Sequence, residues 1–136
     1  DQPRSRGLGD VYKRQKYGRG RIEDKSMGMK LSIKWHAEAV NELLAILKYC
    51  ESEFGLRTAQ QVRIRIFEHV RRLETFPNLG MREPLLENST LLYRFVSIPP
   101  IKVIYTVHED YVFIHALWNT SRNPTDLVSI LKERNE

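Results

Sequence analysis

Leu91-Leu-Tyr-Arg-Phe-Val-Ser-Ile98, Pro99-Pro100, Ile101-Lys-Val-Ile-Tyr-Thr-Val107, His108-Glu109-Asp110 and Tyr111-Val-Phe-Ile-His-Ala-Leu-Trp-Asn119 follow one another along the chain. Three runs rich in Val, Ile, Tyr, Phe and Trp, split by a proline pair and by a short polar triplet, have the composition of strands punctuated by turns. The last run stops at Asn119-Thr-Ser-Arg-Asn-Pro124, where the lone Arg122 follows a strongly apolar strand. Both faces of the second and third runs are apolar. Val103, Tyr105 and Val107 alternate with Ile104, and Phe113 and Leu117 alternate with Val112, Ile114, Ala116 and Trp118. Strands apolar on both faces lie inside a sheet that is covered twice.

Upstream, Lys30-Leu-Ser-Ile-Lys-Trp35 alternates as a half-buried strand. Val40, Leu43, Leu44, Leu47, Cys50 and Phe54 then recur at helical spacing, and Gly55 is a natural stop. Thr58-Ala-Gln-Gln61 fits a capping box that would open a second helix after a joint of about three residues. That helix has the stripe Ala59, Val62, Ile66, Val70 and Leu73, with Glu68 and Arg72 at i,i+4 spacing on its outer face. Two such helices make a hairpin whose shared apolar face needs a sheet to rest on. Phe76-Pro-Asn-Leu-Gly80 ends the hairpin, and residues 81–90 read as a polar loop. After the strands, Asn123 and Pro124 start a last helix with Leu127, Ile130 and Leu131 inward, which covers the second face. The order predicts an α+β fold, β-α-α-β-β-β(-α), with a helical hairpin on a small, mainly antiparallel sheet.

The length of 136 residues suits one domain with its own core. Residues 1–28 have no apolar periodicity and carry five glycines among scattered charges, which predicts a disordered or non-native tail ahead of a domain at 29–136. Gly7-Leu-Gly-Asp-Val-Tyr-Lys-Arg-Gln15 resembles a string that recurs as an artefact at the ends of assembled reads, and Met27 or Met29 would then be the start. A basic arm tracking phosphates is the functional alternative for this segment. The lone Cys50 cannot bridge internally, no secretory segment is recognisable, and the expected compartment is the cytoplasm. No apolar run approaches the roughly 20 residues of a membrane-spanning helix.

The formal net charge is +5, but its location matters. The first 28 residues hold eight Lys/Arg against four acids, and the rest of the chain holds fourteen against thirteen. The body is close to neutral, so any attraction to polyanions from it must come from local patches.

Four motifs in order carry a resemblance: Trp35-His-Ala-Glu-Ala39, Leu73-Glu-Thr-Phe-Pro-Asn-Leu-Gly80, Lys102-Val-Ile-Tyr105, and Phe113 through Arg122-Asn-Pro124. Together they are similar to the RelE/ParE family of bacterial toxins, the toxic halves of type II toxin–antitoxin pairs, over roughly residues 29–132. Two departures stand out: His36 replaces the usual Ser or Thr cap, and Asn119 sits where many relatives have histidine. The resemblance implies a cognate antitoxin that wraps across the sheet and groove, an assembly that can extend to higher oligomers. It implies no cofactor and no metal. One branch of the family inhibits DNA gyrase; the other cleaves mRNA in the ribosomal decoding site.

Metal-free RNA cleavage needs a group that activates the 2′-OH, cations for the phosphorane and an acid for the leaving oxygen. The resemblance makes Arg94, Lys102 and Arg122 the candidates for the cationic role. Each has a bland counterpart as an ordinary strand or surface cation, and Lys102 lacks the bidentate fork of the arginine usual there. Tyr105 and His115 read as packed core residues, His108 and His69 as exposed, and Cys50 as a small buried hydrophobe. The near-neutral body and sparse catalytic inventory point to the gyrase-binding branch. A ribosome-dependent mRNA endonuclease is the second reading, and a non-toxic binding module on the same scaffold is the third. The arginines of the second helix are a solvated face or a surface for an acidic partner.

Overall fold

The computed structural model describes residues 30–134, and the tail expected at residues 1–28 lies outside them. The chain runs β1 (Ser32–Trp35), α1 (Ala37–Phe54), α2 (Leu56–Arg72), β2 (Met81–Arg82), a 3-10 turn (Pro84–Leu86), β3 (Arg94–Ile98), β4 (Ile101–Val107), β5 (Tyr111–Asn119) and α3 (Pro124–Arg134). The five strands form one sheet in the order β1-β5-β4-β3-β2, with β1 parallel to β5 and every other pair antiparallel. The predicted α+β architecture is therefore present, with one strand more than the sequence pattern suggested.

Each face of the sheet carries its own core. On one face Ala39 and Leu43 of α1 and Ile66, Val70 and Leu73 of the α2 stripe pack on Val103, Tyr105, Val112, Ile114 and Leu117. On the other, Leu127 and Leu131 of α3 pack with Ile104, Ala116, Trp118, Tyr93 and Leu86. Full burial of a side chain such as Ile66 or Ile104 stabilises by about 1.5–3 kcal/mol, so these two layers dominate the energetics of the fold.

Several local expectations change. The α1 stripe is displaced by part of a turn: Ala39, Leu43, Ile46 and Leu47 face the sheet, while Leu44 and Phe54 are exposed. Leu44 stands about 100° round the helix from Leu43, on the side away from Ala39 and Ile46, and so turns to solvent. The capping box at Thr58 does not form, because α2 already begins at Leu56 and is capped by Gly55 without a side-chain bond. Gly55 alone joins the helices. Its amide donates to the Glu51 carbonyl, its carbonyl accepts from Ala59, and its φ of 97° suits glycine. Glu68 and Arg72 form no ion pair. His36, by contrast, serves as a cap: its Nδ1 accepts the Glu38 amide at 3.0 Å. Asn123 caps α3 through Oδ1 and the Thr125 amide at 3.1 Å.

The alternation along β5 also breaks. Ile104 pairs with Ala116 and Tyr105 with Ile114, so His115 is an extra residue and the strand is bulged there. Leu117 thereby joins Val112 and Ile114 on the hairpin face, contrary to the simple alternation of the sequence. Beyond Ile114, β1 no longer covers the β5 edge. Side chains take its place: Glu42 Oε1 accepts the Leu117 amide at 3.0 Å, and Arg134 donates to the His115 carbonyl at 2.9 Å. Glu42 and Arg134 also pair with each other at 2.7 Å, which ties α1 to α3 around the sheet edge.

Candidate functional site

The segment after α2 is held against the sheet by one aromatic hydroxyl. Tyr105 Oη accepts the Gly80 amide at 2.9 Å and donates to the Pro77 carbonyl at 2.8 Å. Burial raises the Tyr105 phenol above its ordinary value of 10.0, against the smaller opposing pulls of the Gly80 amide and Arg94. It therefore stays protonated and able to donate. A Cβ on Gly80 would stand 2.5 Å from the Phe95 carbonyl and 2.6 Å from that hydroxyl, which explains the glycine that closes the Phe-Pro-Asn-Leu-Gly motif. Arg94 donates to the Gly80 carbonyl at 2.7 Å, completing the clasp. What the sequence offered as a loop at residues 81–90 then starts as the edge strand β2, paired with β3 through Met81–Phe95 and Arg82–Arg94.

Lys102 lies on the opposite face from Arg94. Register pairs Arg94 with Tyr105 on the hairpin side, and Lys102 with Ser97 and Trp118 on the α3 side. The Lys102 ammonium sits 2.7 Å from Glu83 Oε1 and 4.1 Å from the Phe95 ring centre. Glu83 is 1% exposed, and its other oxygen accepts the Leu85 amide at 3.1 Å, so Lys102 neutralises a buried carboxylate. It is not the freely solvated strand lysine of the bland reading.

Arg122 differs from both. Its guanidinium carbon lies 4.3 Å over the Trp118 ring, on the same side as Lys102. Among the described residues its side chain has no hydrogen-bond acceptor. Asn119 shapes this loop, its Oδ1 accepting from the Ser121 amide at 2.9 Å and hydroxyl at 2.8 Å. The three sequence candidates are thus not brought together: Arg94 belongs to one face, Lys102 is engaged on the other, and Arg122 stands exposed at the end of β5.

His115 is buried, as expected, but only half satisfied. Its Nε2 is 2.9 Å from Thr106 Oγ1, which is also 2.7 Å from His108 Nε2, while Nδ1 has no partner among the described residues. Burial first, then the charges of His108, His36 and Arg134, lowers its pKa from 6.5 to about 4. A histidine neutral at pH 7, enclosed by the Tyr93 and Phe113 rings, is a packing residue in this position.

A groove of about 700 Å³ opens between the C-terminal half of α1, the middle of α2 and the end of the sheet. Its walls are mostly apolar, including Ile46, Tyr49, Val62 and Ile98, with Arg65 on the polar side and Asn119 and Ser121 at the mouth. Cys50 lines it half-buried, rather than sitting fully in the core. Nothing in the linear pattern announced this groove, because its lining is drawn from α1, α2 and the end of the sheet together, and Tyr49 is off the α1 stripe. Among the described residues no cluster of His, Cys, Asp or Glu could hold a metal ion. None of the described helices is long and apolar enough to cross a membrane.

A two-faced sheet, a helical hairpin closed by one glycine and an apolar groove between that hairpin and the end of the sheet define a small α+β protein. The family model described as "ParE toxin of type II toxin-antitoxin system, parDE" matches residues 33–124, and the chain belongs to that family. Among solved structures it is similar to a chain of the chromosomal ParDE toxin–antitoxin system from P. aeruginosa. That likeness has a TM-score of 0.56 and 22% identity, covering 66% of this chain and 96% of that one. No curated protein matches in sequence.

Proposed function

We propose that this type II toxin halts growth by occupying an essential protein target, DNA gyrase, and that its cognate antitoxin neutralises it by lying in the apolar groove. The observation that carries the reading is the engagement of the candidate cations. Arg94 clasps the Gly80 carbonyl and Lys102 balances the buried Glu83, on opposite faces of the sheet. A phosphorane would need such cations converging on one point; a binding toxin needs only a shaped surface. Arg122, without an acceptor among the described residues and backed by Trp118, is then a contact residue at that surface, where arginines often anchor interfaces.

The groove suits an amphipathic segment with apolar anchors and an acid opposite Arg65. The proposal is tested by inducing the chain in a sensitive bacterial host with and without the product of the neighbouring reading frame. Arrest relieved by that product supports it. No arrest from a verified full-length chain removes the toxin's action, and the non-toxic binding module then stands.

A further inference from the structure

The near-neutral body conceals a strong separation of charge. Helix α2 carries five arginines and one glutamate, so its 17 residues have a larger net positive charge than residues 29–136 taken as a whole, where fourteen Lys/Arg face thirteen acids. Ala59, Ile66 and Val70 face the core, and at 100° per residue this directs Arg57, Ile64, Arg65, Glu68, Arg71 and Arg72 outward. Arg57, Arg65, Arg71 and Arg72 are all exposed. None of them pairs with a carboxylate among the described residues, even though Glu68 stands at the right spacing from Arg72. A face laced with its own ion pairs would be a solvated face; this one leaves its guanidiniums available.

Two further residues decide what kind of polyanion fits. Ile64 is 50% exposed in the middle of the arginines, and Leu56 is 58% exposed at the start of the helix. Glu68 lies on the same stripe as Ile64 and would repel a phosphate backbone that tracked the helix. A polypeptide can answer all three features at once, with carboxylates for the arginines, apolar side chains for Ile64 and Leu56, and a polar or basic group for Glu68. The guanidinium fork favours carboxylates held in place by a folded partner.

We propose that the outer face of α2 is a second docking surface, distinct from the groove, for an acidic amphipathic segment of a partner protein. Long-range attraction from this helix steers the encounter, and the exposed apolar residues fix the register. Arg65 links the two surfaces, because it also borders the groove. An occupant of the groove and an occupant of α2 therefore influence each other at that residue.

The test uses the full-length chain and a synthetic helical peptide with glutamates flanking a leucine stripe. Backbone amide shifts are mapped by NMR as peptide is added, and affinity is followed with rising salt. Shifts concentrated on residues 56–72, with affinity falling as salt rises, support the proposal. So does a loss of roughly tenfold or more in the triple variant Arg57→Glu/Arg71→Glu/Arg72→Glu. The substitutions are all on the exposed face, and an unchanged circular dichroism spectrum with unchanged Tyr105 amide shifts shows the variant folded. Shifts confined to the groove, or an equal affinity in the triple variant, overturn it. So does a DNA duplex or single-stranded RNA of matched charge that binds residues 56–72 more tightly than the peptide. The result stands apart from growth arrest: a chain that fails to arrest growth sinks the toxin action proposed above and leaves this map to be judged on its own.

Discussion

The Gly80 amide donates to the Tyr105 hydroxyl at 2.9 Å across 25 residues of sequence, and no side chain larger than hydrogen fits at position 80. This contact fastens the turn after the helical hairpin to the centre of the sheet. It also explains why a glycine closes the Phe-Pro-Asn-Leu-Gly segment and why a tyrosine rather than phenylalanine stands in β4.

Gly80→Ala is expected to destabilise the protein by about 2–4 kcal/mol, since the new methyl meets backbone and a rigid ring. Tyr105→Phe should cost about 1–3 kcal/mol by leaving the Gly80 amide without its acceptor. Urea unfolding at pH 7 measures both. Equal stability of Gly80→Ala and the parent would show that the close approach does not exist.

Lys102 separates a catalytic from a structural assignment. Removing it strands the buried Glu83 carboxylate, so Lys102→Met should destabilise by about 3–5 kcal/mol. Lys102→Met/Glu83→Gln should recover most of that loss, and growth arrest with it. A stable double variant that remains harmless would instead assign Lys102 a direct part in toxicity.

His115 predicts a pH dependence. The unfolded chain takes up a proton near pH 6.5, whereas the folded chain resists until about pH 4. Stability from this group is therefore complete above pH 6.5 and is lost as the pH falls toward 4, by about 3 kcal/mol in all. Carboxylates titrate in the same range, so the informative quantity is the difference between the parent and His115→Gln across pH 7 to 4. Parallel stability curves for the two would refute the assignment.

Arg122 stacks on Trp118, and an exposed cation–π contact contributes about 0.5–1 kcal/mol. Arg122→Ala should thus unfold almost as the parent does, yet need more inducer to arrest growth. An unchanged inducer requirement would remove Arg122 from the target-facing surface.

The architecture was legible because each regular element advertised itself locally. The α2 stripe from Ala59 to Leu73, the paired runs of β4 and β5 and the Asn123-Pro124 start of α3 all follow from periodicity and capping chemistry. The failures have physical causes too. Gly55 can cap two helices at once, which left Thr58 inside α2 instead of at its start. β2 has only two residues and exists because Tyr105 and Arg94 hold Gly80 in place. The bulge at His115 shifts the alternation of β5 by one. At the site, the role of Lys102 was hidden because Glu83 is 19 residues away and looks like any loop acid until it is buried. The groove was hidden for a similar reason, since it is made of residues that are not on any one stripe.

The proposed mode of action, binding an essential protein without cutting RNA, is open to direct assay. The purified chain can be assayed in parallel for inhibition of gyrase supercoiling and for mRNA cleavage on translating ribosomes. Inhibited supercoiling with intact mRNA is the expected result. Cleaved mRNA, abolished by Arg122→Ala and accompanied by unaffected gyrase, would contradict it.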